Sequence, residues 1–199
     1  MDHAWLRERM AARWRSPSVI EGDHRPPHER TGYRAAAVLV PLLERDAGLT
    51  VLLTRRTAHL NHHAGQICFP GGMTEPHDIN AAQTALRETH EEIGLLPDRV
   101  EVLGQLDDYT TGTGFRITPI VGLVHVPFML ALDAFEVEEV FEVPLGFLFD
   151  PANVRRDSVQ REEGERFYNA IPYREYYIWG ATATMLLNLR QSLMESDAA

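Results

Sequence analysis

From Gly71 to Leu95 the chain carries a helix whose end is charged the wrong way. Asn80 followed three residues later by Gln83 predicts an N-terminal cap of the capping-box type. Ala82, Leu86, Thr89 and Ile93 recur at helical spacing and predict the buried face. Gly94 supplies a left-handed stop, with Pro97 just beyond it. Glu88, Glu91 and Glu92 are thereby crowded into the final turns on one side. Like charges at this spacing repel by about 0.2–0.5 kcal/mol per pair. The C-terminal end is also the negative pole, where an anion costs about 0.3–1 kcal/mol. Arg87 reaches Glu91 at i,i+4, but one cation does not balance three anions. Either the helix presents a solvated acidic face, or a hard divalent cation such as magnesium takes up its carboxylates.

The preceding loop favours the cation. Phe69-Pro70-Gly71-Gly72 reads as an abrupt strand end, whose glycines admit close approach of a ligand and can offer a backbone carbonyl. Composition narrows the partner. The 199 residues have a formal net charge of -10, which argues against nucleic-acid binding through a basic surface. An anionic ligand would need local arginines or a bridging metal. No apolar run is long enough to span a membrane. Cys68 is the single cysteine, so no internal disulfide is expected. The N-terminus lacks the apolar core of a secretory signal, and Asp2 and Glu8 weigh against an organelle transit peptide.

Residues 3–15 predict a surface helix through Trp5, Leu6, Met10 and Trp14, and residues 16–32 a connecting loop containing His24 and His28. The expected division is therefore 1–32, helix and loop, and 33–199, the main domain with its C-terminal helix. Strands are expected at 34–43 and 50–55, joined as a hairpin, then at 66–69, 100–106, 117–126, 137–143 and 167–173. The region from Pro151 to Gly164 reads as loop with some helix. A terminal helix over 179–194 carries Leu186, Leu187, Leu189 and Leu193. Strands on both sides of a central helix, closed by another helix, predict an α/β (α+β) sandwich with a mixed sheet.

Gly72, Arg87, Glu88, Glu91, Glu92, Gly94 and Leu95 together resemble the box of the Nudix hydrolases, G-x5-E-x7-R-E-U-x-E-E-x-G-U with U aliphatic. Asp78 stands where the box has Glu, eight residues rather than seven separate it from Arg87, and Thr89 occupies an aliphatic position. A second pattern, Leu52 to Arg56 with Gly65-Gln66 and Phe69 to Gly72, is similar to the Nudix subgroup that hydrolyses coenzyme A and its derivatives. So are the longer box, Glu136 to Phe141, Val143 to Leu145, and Ile178 to Ala183. Asn61 departs from that subgroup, which has an arginine there, and His62 and His63 are its candidate replacements.

The resemblance implies a Nudix-like α/β/α sandwich and hydrolysis of a diphosphate to phosphopantetheine and adenosine bisphosphate. It implies Mg2+ or Mn2+ on Glu88, Glu92 and the Gly72 carbonyl, with Glu91 on a further metal or orienting water. Arg87 would position the glutamates, and Glu91, Glu136 or Glu139 would supply the general base. Arg55, Arg56, Gly65 and Phe69 are the expected substrate contacts. The implied partner is a small coenzyme A-like diphosphate, with neither nucleic acid nor membrane, in a cytoplasmic protein for which a homodimer is compatible. Other Nudix substrates, such as ADP-ribose, a dinucleotide or a nucleoside triphosphate, and a nucleotide sensor without turnover, are the alternatives.

Overall fold

Two long strands with alternating apolar side chains frame the protein and bury both of their faces. The computed structural model describes residues 1–12, 19–21, 32–60, 63–161 and 164–194. In chain order the elements are α1 (His3–Ala12), β1 (Val19–Glu21), β2 (Arg34–Arg45), β3 (Gly48–Arg56), β4 (Ile67–Cys68), β5 (Gly71–Met73) and α2 (Ala81–Ile93). There follow β6 (Val100–Gln105), β7 (Asp108–Thr110), β8 (Phe115–Val124), β9 (Val137–Pro144), α3 (Leu145–Phe149), β10 (Arg155–Arg161), β11 (Gly164–Tyr173), β12 (Tyr176–Trp179) and α4 (Gly180–Met194).

The large sheet runs β1-β7-β8-β2-β3-β4, with β5 also pairing β2, β6 pairing β8 and β9 pairing β3. It is mixed, because β2 lies parallel to β8 and β1 parallel to β7, whereas the other pairs are antiparallel. Along β2, Val40 and Leu42 face one core while Ala37, Leu39 and Leu43 face the other, as period-2 geometry requires. The first core is closed by Leu186, Leu189 and Leu193 of α4 and Leu6 and Met10 of α1. The second is closed by Ala85 and Ile93 of α2 and Leu95 after it. This is the expected α/β/α layering. Burying one large aliphatic side chain contributes about 1.5–3 kcal/mol. Anchoring Ile93 therefore outweighs the penalty on any one carboxylate at the same helix end.

Several expectations need correction. Residues 155–161 form a strand rather than a loop, held by antiparallel pairing with β11, which continues into β12 as a separate three-stranded sheet. Val19–Glu21, inside the expected connecting loop, pairs with β7. Gly71–Met73 continues as a strand against β2 instead of ending one. On α2 the fully buried residues are Thr84, Ala85, Thr89, Glu92 and Ile93; Ala82 and Leu86 are half-buried. Leu187 is likewise half-buried on α4. Trp14, His24 and His28 lie outside the described residues. No helix among the described residues is long and apolar enough to cross a membrane.

Both caps of α2 form, with one change of partner. Asn80 Oδ1 accepts from Gln83 N at 2.9 Å, but the Gln83 side chain accepts from Ile79 N at 2.8 Å instead of from the cap residue. Gly94 adopts φ 71°, and its N–H donates to His90 O. A Cβ there would meet Ala131 N at 2.7 Å. Gly94→Ala is therefore expected to destabilise by about 2 kcal/mol or more, from the left-handed backbone and that contact together. Thermal unfolding measures it, and a loss below a few tenths of a kcal/mol would refute this account.

Candidate active site

The end of α2 is organised by one guanidinium. Arg87 donates to both oxygens of Asp78, at 3.1 and 3.0 Å, and to the Met73 carbonyl at 3.1 Å. The same side chain reaches Glu88 at 2.9 Å and Glu91 at 3.1 Å. Asp78 also accepts from Glu75 N and the Thr84 hydroxyl. The Arg87 guanidinium, followed by the Glu75 amide, holds the Asp78 carboxyl well below the usual carboxylate range. Asp78 thus closes the loop onto the helix despite the extra residue in the spacing. Thr89 fits its aliphatic position because its hydroxyl donates to Ala85 O within the helix.

The three glutamates have three environments. Glu91 is exposed. Glu88 is half-buried, and its carboxylate lies against Gly72, where a Cβ would collide with it. Burial raises the Glu88 carboxyl, Arg87 opposes the rise, and Glu91 and Glu136 add to it. Glu92 is buried at 5% exposure and accepts from Gly71 N at 3.1 Å. Its carboxyl is pushed up to about 8, chiefly by desolvation, with the Gly71 amide and Arg56 opposing and Glu136 and Glu88 adding repulsion. Arg56 stands 3.6 Å from Glu92 and 3.7 Å from Glu136, so Glu136 belongs to this cluster.

Two neighbouring carboxylates, each disfavoured as anions by burial and mutual repulsion, form an all-oxygen donor pair that suits a hard divalent cation. Among the described residues no three His, Cys, Asp or Glu side chains make a metal shell by themselves. Glu88 and Glu92 would hold such an ion together with water, backbone or ligand oxygens.

Other expected site residues lie elsewhere. Arg55 and Arg56 are successive residues at the end of β3, with a register shift between them. Arg56 turns to Glu92, whereas Arg55 pairs with Glu139 at 3.0 Å and lies over the Tyr176 ring. Glu139 also accepts from Tyr176 OH, and Tyr176 stacks on Phe141. Glu139 and Arg55 are thus engaged with each other, away from the glutamate pair. Gly65 N donates to Arg56 O in the turn before β4. Phe69 is buried in the core and borders a cavity of about 1150 Å³. Arg56, Gly71 and Gly72 form one wall of it, and Trp179 to Thr182 and Arg166 contribute others. Asn61 and His62 lie outside the described residues; His63 borders the cavity and bonds Gln66 at 2.8 Å. Arg166, Gln160 and Tyr109 went unnoticed in the sequence because they sit in strands without apolar periodicity or in a three-residue strand.

Comparison with known proteins agrees with this geometry. The family model described as NUDIX domain matches residues 32–165. The protein "Uncharacterized Nudix hydrolase NudL" of Photorhabdus laumondii is 39% identical over 170 residues, 84% of this chain and 90% of that one. Its namesake in Pectobacterium atrosepticum is 38% identical over 165 residues, 83% of this chain and 84% of that one. A crystal structure of a Nudix hydrolase from M. smegmatis, RenU, shares the fold with TM-score 0.50 and 24% identity, over 59% of this chain and 74% of that one.

Two outcomes follow for the metal-free protein. Because the folded Glu92 carboxyl titrates above its unfolded value of about 4.5, the fold binds an extra proton between the two values. Stability should be greatest below pH 4.5 as far as this group is concerned, and decline until about pH 8, by a few kcal/mol at most. Glu92→Gln should flatten that decline in a series of thermal melts across this range; an unchanged slope would count against it. Gly72→Ala should displace the Glu88 carboxylate while costing little stability, since a flexible side chain gives way. Calorimetric titration with Mg2+ or Mn2+ should show affinity reduced by roughly tenfold or more, and wild-type affinity would refute the contact's importance.

Proposed function

The chain belongs to the Nudix hydrolase family, and on that footing we propose that it cleaves the diphosphate linkage of coenzyme A or one of its derivatives. Nudix hydrolases act on pyrophosphate bonds of small nucleotide derivatives and generally use divalent metal ions. The supporting observation is that Gln66 to Phe69 with Gly71 and Gly72, and Trp179 to Thr182, separated by more than a hundred residues, border the same cavity beside Arg56. Both segments carry the resemblance to the coenzyme A subgroup. Ligand pockets are commonly about 300–1,000 Å³, so about 1150 Å³ accommodates more than a simple nucleotide.

In this reading Glu88, Glu92 and Gly72 hold Mg2+ or Mn2+ at the cavity edge. When bound, such an ion neutralises charge on the diphosphate and lowers the pKa of a bound water. Arg87 positions Glu88 and Glu91 and ties the loop through Asp78. Arg56, beside Glu92 and Glu136, receives a phosphate oxygen by a charge-assisted hydrogen bond. Glu136, 42% exposed at its side chain, accepts the proton of the attacking water; its nearness to Glu92 favours it over Glu139, which is held by Arg55 and Tyr176. Water adds across the P–O–P linkage and releases phosphopantetheine and adenosine 3′,5′-bisphosphate.

Incubating the protein with Mg2+ or Mn2+ and coenzyme A should yield these two products by chromatography, and Glu92→Gln should abolish them. Consumption of ADP-ribose or a nucleoside triphosphate while coenzyme A survives would redirect the substrate assignment. Tight nucleotide binding without any product would instead indicate a sensor.

A further inference from the structure

The turn that carries Glu136 is tied at both ends by main-chain hydrogen bonds. Where β3 leaves the sheet, Arg55 pairs with Glu139 but Arg56 pairs with Val137, so Glu138 is an extra residue on β9. Such a bulge bends a strand and re-aims its neighbours. Here it brings Thr57 level with Glu136, and Thr57 N donates to Glu136 O at 3.0 Å. The Thr57 hydroxyl donates to the adjoining Phe135 carbonyl at 2.7 Å. At the other end, Asp133 N donates to the Glu92 carbonyl at 2.9 Å, an acceptor in the last turn of α2. Asp133 O in turn accepts from Glu136 N at 3.0 Å and from Val137 N at 2.8 Å. The backbone around Glu136 is thus slung between Glu92 on the helix and Thr57, the residue after Arg56.

We propose that Thr57 is a positioning residue that sets the Glu136 carboxylate beside Glu92 and Arg56, and this rests on the reading of Glu136 as general base. The Glu136 side chain is 42% exposed and 3.7 Å from Arg56, so its reach is governed by its backbone more than by a tight side-chain contact. Thr57 is itself 7% exposed, and its two donors hold two consecutive carbonyls, those of Phe135 and Glu136. A valine of the same shape would set a methyl group against the Phe135 carbonyl and leave that acceptor without its donor. The turn would then move away from β3 and carry Glu136 off the attacking water. Arg56 would keep its place, because its N–H donates to Gln66 O and its carbonyl accepts from Gly65 N. A misplacement of about 1 Å at a reacting group can cost roughly a hundredfold in rate.

Steady-state hydrolysis by the full chain with Mg2+, on coenzyme A and on ADP-ribose, tests this. Thr57→Val should lower kcat roughly ten- to hundredfold while KM stays within about threefold of wild type. Thr57→Ser, which keeps the hydroxyl, should retain wild-type kcat. Thr57→Ala removes the hydroxyl without adding a methyl clash and replaces the valine variant if thermal unfolding shows that valine prevents folding. In a Glu136→Gln background, Thr57→Val should add no further loss, because residues acting as one unit are not additive. A full additional loss there, an unchanged kcat in Thr57→Val, or a serine variant as slow as the valine one overturns the role and leaves Glu136 as base. A raised KM at unchanged kcat also overturns it, by assigning the effect to phosphate binding at Arg56. Wild-type kcat in Glu136→Gln removes the base reading and this role with it. Turnover of ADP-ribose alone removes the coenzyme A reading, and the same comparisons on ADP-ribose then decide the role of Thr57. Turnover of neither substrate removes both.

Discussion

The Arg87 guanidinium is the contact on which the site depends. It spans Asp78 and the Met73 carbonyl in the loop and Glu88 and Glu91 on the helix. The planar fork satisfies two Asp78 oxygens at once, something a lysine ammonium does only as a point charge. Loop and helix are consequently locked in the arrangement that sets Glu88 against Gly72 and Gly71 N against Glu92. The repulsion read at the end of α2 is therefore partly balanced within the protein. What is left unbalanced is concentrated on Glu92, the one of the three helix glutamates that is buried.

Sheet geometry then distributes the chemistry. Alternation along β3, with the register shift between Arg55 and Arg56, sends adjacent arginines to different neighbours. Arg56 joins Glu92 and Glu136, while Arg55 joins Glu139 and Tyr176. Residues that looked equivalent in the sequence are separated because consecutive side chains of a strand point to opposite faces. The cavity opens where β5 and β4 meet the first turn of α4, so the glutamate pair and the ligand space share the Gly71-Gly72 segment.

Legibility followed the strength of local signals. The helix α2 was readable from caps and spacing, because its ends are fixed by side chain-to-backbone bonds inside a few residues. The misplaced Gln83 bond shows the limit: Ile79 N and the cap residue's N–H are neighbours, and only the folded loop chooses between them. The strand β10, by contrast, is polar and largely exposed, and exists because β11 supplies its hydrogen-bonding partner. No apolar alternation marked it. With β10 unseen, Gln160 was unseen as well, and Arg166 lay just before the expected last strand.

By itself the sequence determined the central helix, the glutamate triplet, the glycines in front of it and the layered fold, since these rest on spacing within one element or on apolar periodicity. Tertiary structure decided which glutamate is buried, which of two adjacent arginines faces it, that Glu136 rather than Glu139 joins the cluster, and where Arg166 lies. Each of these depends on strand pairing and on desolvation by distant residues, quantities that arise only when segments far apart in the chain are packed together.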